Sequence, residues 1–170
     1  YEDDQLQWQQ LSGGIQTSDI ADLESLQQTL HATQNGKELS INWEFSSSGL
    51  NHVFKIDSVS RKETAEKVVI SWDGEIIDSK AKGEEIINIP ALGDFKVMNV
   101  SISQIPTQKI TINFSDPLSK TQNLDGLIYT KQADEFKISK NRNSVFLYPS
   151  NDLSGEKSLV ISKGIKNSLN

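Results

Sequence analysis

Cysteine is missing from all 170 residues. Its absence removes disulfides, thiol nucleophiles and thiolate metal sites, and it leaves the compartment open. Histidine is almost missing as well, with only His31 and His52. A hydrolytic triad needs a nucleophile, a base and an orienting group. Neither histidine stands beside such partners, and none of the many serines lies in a G-x-S-x-G elbow. Positive charge is in deficit, with 17 Lys and Arg against 23 Asp and Glu and a net charge of −6. A nucleic-acid partner needs a basic footprint. The two densest basic stretches, KISKNR at 137–142 and Arg61-Lys62, are short or broken by polar residues. Long apolar runs are absent too. Nothing approaches the roughly 20 residues of a membrane helix, and there is no signal-peptide pattern. The segment is therefore expected neither to bind nucleic acid nor to insert directly into a membrane. It begins with Tyr1 rather than methionine, and so reads as a processed or excised piece of a longer chain.

What is present is alternation. From residue 38 onward apolar and polar residues exchange places with period two, as a half-buried antiparallel sheet requires. Leu39, Ile41, Trp43 and Phe45 lead, followed by a turn at Ser46-Ser47-Ser48-Gly49. Strands follow over residues 52–59, 67–72, 85–89 and 95–100, with Asp73-Gly74 as a turn dipeptide. After Ile105-Pro106 the pattern restarts with KITINF at 109–114, then candidate strands over 127–130, 136–139, 145–148 and 158–162. The expected core of this second part is Ile110, Ile112, Phe114, Leu118, Leu124, Ile128, Phe136, Ile138, Phe146, Tyr148, Leu159 and Ile161. That is a thin core, marginal for a module standing alone.

The amino-terminal part reads differently. Residues 1–16, ending in Ser12-Gly13-Gly14 and Ile15, are polar and predict a flexible leader. Ile20, Leu23, Leu26 and Leu30 are spaced three or four apart, which predicts a short helix capped by Thr17 or Ser18 and ended by Asn35-Gly36. The competing pattern is a strand at 28–32 joined through Asn35-Gly36 to the next strand. The fold class that results is mainly β, two antiparallel β-sandwich modules with a short N-terminal helix. The boundaries are a leader over 1–16, a first module over 17–102 and a second over 103–170, the last truncated at its final strand.

Thr121 to Ile128 follow the middle of an EF-hand loop, with oxygen side chains at relative positions three and five and glycine at six. Thr121 stands where the first aspartate belongs, and Gln132 where the bidentate glutamate belongs. Asp116 ends a strand immediately before Pro117, which forces extended geometry on it and supplies no donor. With no catalytic partner nearby it reads as a turn residue whose carboxylate bonds to backbone. Trp43 and Trp72 lie in phase with their strands' apolar residues and read as core, while Trp8 has no such phase. No catalytic, metal or cofactor residue, and no cofactor, is expected.

Four segments of the second module carry a likeness: TINFSDPL at 111–118, QNLDGLI at 122–128, VFLYP at 145–149 and LVISKGIKN at 159–167. Together they resemble an Ig-like macroglobulin module near the amino end of bacterial alpha-2-macroglobulins, particularly large Bacteroidetes lipoproteins. The first module is similar to the segment that precedes it there, through FKIDSVSR at 54–61, WDG at 72–74 and IPALGDF at 89–95. The resemblance implies long chains of β-sandwich domains that trap proteases at the cell envelope, in the periplasm or at the surface. It implies neighbouring macroglobulin domains and, for the whole protein, proteases as partners. Without cysteine this chain cannot hold the family's thioester, so no functional residue carries over; the implied role is scaffold and spacer. In that role Leu124 and Ile128 anchor QNLDGLI, and Gly126 makes its turn. The alternative is an adhesion or glycan- or peptide-binding Ig-like module of another surface protein. Exposed aromatics clustered on one face, or a long bare edge strand, would mark it.

Overall fold

A computed structural model describes residues 7–45 and 49–169. The turn expected at Ser46–Ser48 and the first six residues of the expected leader lie outside the described residues. The chain divides into two compact units, Tyr1–Gly93 and Asp94–Asn170. The architecture is mainly β, with several antiparallel sheets and one short helix.

Among the described residues the first unit opens with β1 (Trp8–Gln16), which occupies much of the stretch where a flexible leader is expected. β1 runs antiparallel to β5 (Asn51–Ser60), which also pairs with β4 (Asn42–Phe45). Leu11 and Ile15 face inward and pack on the core. Gly13 lies directly opposite Phe54, and a Cβ there would come within 2.4 Å of the Phe54 ring. The glycine that suggests a linker in the sequence is the residue that lets an aromatic ring cross the strand.

The helix is shorter than the apolar spacing predicts. α1 (Leu23–Gln28) is capped by Asp22, whose carboxylate accepts from the Ser25 N–H at 3.0 Å. Leu26 is buried, whereas Ile20 and Leu23 are exposed. The chain then becomes β2 (Leu30–Gln34), where Leu30, Ala32 and Gln34 point inward with period two. Pairing with β6 (Glu66–Asp73) outweighs continuation of a marginal six-residue helix. Asn35-Gly36, both with positive φ (52° and 74°), turn β2 into β3 (Lys37–Glu38). Of the single strand expected through Leu39 and Phe45, residues 42–45 form β4 in one sheet, while β3 ends at Glu38 and belongs to the other. His31, expected in the helix or at its end, lies on β2 within 3.4 Å of Glu38.

β6 also pairs with β7 (Lys82–Ile89), completing the order β3-β2-β6-β7. Residues of both sheets, Leu30, Ala32, Val68, Ile70 and Ile89 with Phe54, Ile56 and Val59, form one core. Trp43 and Trp72 are partly buried against it. Two buried polar side chains finish the unit. Gln34 donates to the Ser60 carbonyl (2.7 Å) and to Glu66 (2.8 Å), and its oxygen accepts from the Ser60 N–H (3.0 Å) and hydroxyl (3.2 Å). Arg61 donates to the carbonyls of Pro90 (3.2 Å) and Ala91 (2.7 Å), holding the segment after β7.

The second unit begins earlier than the expected boundary at 102/103. β8 (Val97–Ser103), grouped by its sequence with the first module, pairs with β9 (Lys109–Phe114). β9 continues to β12 (Ser144–Pro149) and β12 to β11 (Phe136–Asn141), giving the order β11-β12-β9-β8. A two-stranded sheet, β10 (Ile128–Thr130) with β13 (Leu159–Ile161), and the loops around it close the other side. Ile110, Ile112, Phe114, Leu118, Leu124, Ile128, Val145, Leu147 and Ile165 form its buried core.

Candidate ligand-binding face

β12 carries SVFLYP, in which four consecutive residues are apolar or aromatic. Such a run fits either parity, so its sequence does not say which pair turns inward. The expected core includes Phe146 and Tyr148. The structure instead buries Val145 and Leu147 and turns Phe146 and Tyr148 to the outer face, each partly exposed. The neighbouring strands decide the matter. β9 must bury Ile110, Ile112 and Phe114, and its register puts Ile112 opposite Val145 and Ile110 opposite Leu147.

That register arranges the outer face in rows. Lys137 stands opposite Tyr148, Ser139 opposite Phe146 and Asn141 opposite Ser144. On the other flank Phe146 faces Thr111 and Ser144 faces Asn113. Continued by one residue, the same register sets Tyr148 beside Lys109. The Lys109 ammonium lies 5.4 Å from the centre of the Phe146 ring, where the ring's negative face attracts it.

The rows differ in how they are satisfied. At one end, Ser144 donates to the Asn113 side-chain oxygen (2.6 Å), and the Asn113 amide donates to Asn99 (2.7 Å). At the other end an open groove of about 590 Å³ is lined by Thr107, Gln108, Lys137, Ser139, Tyr148, Pro149 and Asp152. Its wall is pinned by Gln108, which donates to the Leu153 carbonyl (3.1 Å) and accepts from the Leu153 N–H (2.7 Å). The loop bearing Asp152 is thereby fixed beside Tyr148.

β8 is an edge strand of this sheet. Val100 and Ile102 lie opposite the buried Ile112 and Ile110, yet they are 48% and 64% exposed. The core layer does not reach beneath them. The strand, VMNVSIS, carries no charge to discourage pairing.

The other singled-out residues serve the fold. Asp116 occupies the bend after β9, as its neighbours predict, but it is buried, with Ser115 Oγ at 3.1 Å. The Ser115 hydroxyl accepts from the Lys96 N–H (2.9 Å) and lies 3.0 Å from the Asp94 carbonyl, fixing the chain's entry into β8. In the EF-hand-like stretch, Asp125 and Asn123 bond to each other, backbone N–H to side chain at 3.0 Å, and Gly126 has φ 75°. Leu124 and Ile128 are buried on either side. Among the described residues no group of three His, Asp or Glu is placed to hold a metal ion, and no helix is long and apolar enough to cross a membrane. Trp8 is 56% exposed on β1. The Asp134 carboxylate accepts from Lys157 (2.9 Å) and Thr130 (2.7 Å), its backbone N–H donates to the Thr130 hydroxyl (2.9 Å), and the Lys157 ammonium holds the carboxyl below the ordinary value.

No family model, curated protein or solved structure matches the chain.

Proposed function

We propose that the chain is a pair of non-catalytic β modules, each an Ig-like sandwich, serving as scaffold and spacer in a cell-envelope protein of the alpha-2-macroglobulin type. The supporting observation is where the residues of the resemblance sit. Phe114, Leu118, Leu124, Ile128 and Ile165 share one buried core, and Asn167 is buried and bridged to Leu118. Gln122 bonds to the Gly164 carbonyl (2.7 Å) and the Lys166 N–H (2.8 Å), tying two of the motif segments together. These segments therefore encode a framework, and their polar members bond within it. In both units, strands of two sheets or of a sheet and its facing loops supply one core, which suits a sandwich. On this reading the partners are neighbouring domains of the parent chain, proteases meet the assembled protein, and the location is the periplasm or cell surface in an outer-membrane lipoprotein.

The test is an immunoblot of envelope fractions with antibody raised against this chain, followed by peptide sequencing of the band. A polypeptide many times longer than 170 residues, continuing in further β modules, is expected. A parent that continues into an unrelated catalytic or anchoring domain overturns the scaffold reading.

A second reading, a glycan- or peptide-binding module, is favoured by the outward aromatic pair Phe146 and Tyr148 and by the open groove beside them. Retention of the chain on immobilised glycan, abolished by Tyr148→Ala, is the outcome this reading requires.

A further inference from the structure

We propose that the outer face of the second unit's four-stranded sheet binds an acidic glycan, a chain of uronate sugars, with Tyr148 between Lys137 and Lys109 as its platform. The proposal rests on the binding-module reading above and names the ligand class for that site.

The first argument is charge. Among the described residues neither Lys109 nor Lys137 lies in an ion pair, whereas Lys96 and Lys157 of the same unit both do. Two ammonium groups without a carboxylate partner, one of them resting on the Phe146 ring, therefore flank Tyr148, on a chain whose overall charge is −6. Asp152 lines the groove with Lys137, and Lys109 lies outside it on the other flank of Tyr148. Screening over about 8 Å makes this local balance, rather than the total, what a bound carboxylate meets. Two point charges set apart by a ring suit carboxylates spaced along a sugar chain better than the dense charge of a phosphate backbone.

The second argument is shape and hydrogen bonding. Phe146 and Tyr148 are two residues apart on one strand, so they stand roughly 7 Å apart on the same face. Flat, partly exposed rings offer a surface on which the C–H face of a pyranose packs, with hydroxyls left at its rim. Ser139 and Thr111 stand on either side of Phe146, and Thr107 lines the groove. Their hydroxyls turn outward, while the opposite end of the face, Ser144, Asn113 and Asn99, is already bonded within itself. The open hydroxyls coincide with the lysines and the groove. Peptides are captured chiefly at strand edges or in pockets for single side chains, and this surface is the broad face of a sheet.

The experiment is calorimetric titration of the whole chain with hexagalacturonate, in parallel with neutral maltohexaose and a short single-stranded oligonucleotide. Hexagalacturonate is expected to bind, more weakly as salt rises. Tyr148→Ala and Lys137→Ala are each expected to reduce affinity about tenfold or more. Both side chains face outward, and unchanged far-ultraviolet circular dichroism checks that the variants fold. Hexagalacturonate binding unaffected by the double variant overturns the site. Equal binding of maltohexaose overturns the acidic assignment while leaving a glycan-binding module standing. Equal binding of the oligonucleotide overturns the glycan class. Absence of binding to either sugar overturns this proposal and, of the reading on which it rests, leaves only a peptide-binding module.

Discussion

The two units close their cores by different means. In the first, both layers are sheets, and within each sheet a ring lies over a glycine of the paired strand: Phe54 over Gly13, and Trp72 over Gly83. In the second, one layer is the sheet β11-β12-β9-β8 and the other is mostly loop, with β10 and β13 only three residues each. Side chains there bond to backbone in order to hold what no ladder holds. Gln122 spans Gly164 and Lys166, and the Lys140 ammonium caps the carbonyls of Ser119 and Gln122. Where two ladders exist, the difficulty is seating a large ring against the paired strand, and glycine solves it. Where one is missing, the difficulty is unsatisfied backbone, and polar side chains solve it.

The largest effect that would test this contrast is in the aliphatic core of the second unit. Leu147→Ala removes a fully buried side chain from the middle strand pair and should cost about 4 kcal/mol. Amide hydrogen exchange in β9 and β12 reads the loss. Next comes the buried clamp of the first unit. Arg61→Ala leaves the Pro90 and Ala91 carbonyls without their charged donor and should cost about 3 kcal/mol. All three tryptophans, Trp8, Trp43 and Trp72, lie in that unit, so fluorescence during urea unfolding follows it directly. Arg61→Lys should recover less than half, because one ammonium lacks the planar fork that reaches both carbonyls.

Smaller effects separate the two glycines. Neither has positive φ, so the substitution acts through space alone. Gly13→Ala drives a methyl against the buried Phe54 ring at 2.4 Å and should cost about 2 kcal/mol. Gly83→Ala meets Trp72 at 2.6 Å, but that ring is partly exposed and can swing aside, so about 1 kcal/mol is expected. Equal costs measured by the same fluorescence assay would contradict this account of ring over glycine.

The smallest effect is electrostatic and arises in both units. The Lys62 ammonium beside Glu66, and the Lys157 ammonium beside Asp134, hold both carboxyls below their ordinary values. A depressed value in the folded state means that the stabilisation is present above the unfolded-state value, about pH 4, and is lost as pH falls through the folded value. Stability should therefore decline on acidification below about pH 4. Asp134→Asn should flatten that decline for the second unit without altering the tryptophan-reported part.

Much of this was legible in the sequence. KITINF alternates so cleanly that β9, its buried face and its bend at Asp116 could be read directly. The hairpin at Asn35-Gly36 was legible as one of two patterns, and the helical spacing of four apolar residues competed with it. The pairing partner β6 decided the outcome, and a partner at that distance along the chain leaves no local mark. Residues 8–16 read as leader because Ser12-Gly13-Gly14 has the composition of a linker, and only Phe54, far along the chain, gives Gly13 its purpose. The face bearing Tyr148 was hidden by the fully apolar run of β12. The signal that could have revealed it was the demand of β9, which leaves room inward only for Val145 and Leu147.

Gln34 has one more consequence. Its side-chain amide meets the N–H and C=O of Ser60 as another peptide group would, and all four of its hydrogen-bonding positions are filled. It is, in effect, a rung of ladder carried on a side chain and laid between two sheets that share no strand. The Ser60 amide therefore exchanges its proton only when Ser60 parts from Gln34 of β2, and not when β5 parts from β1 alone, which couples opening of one sheet to its contact with the other.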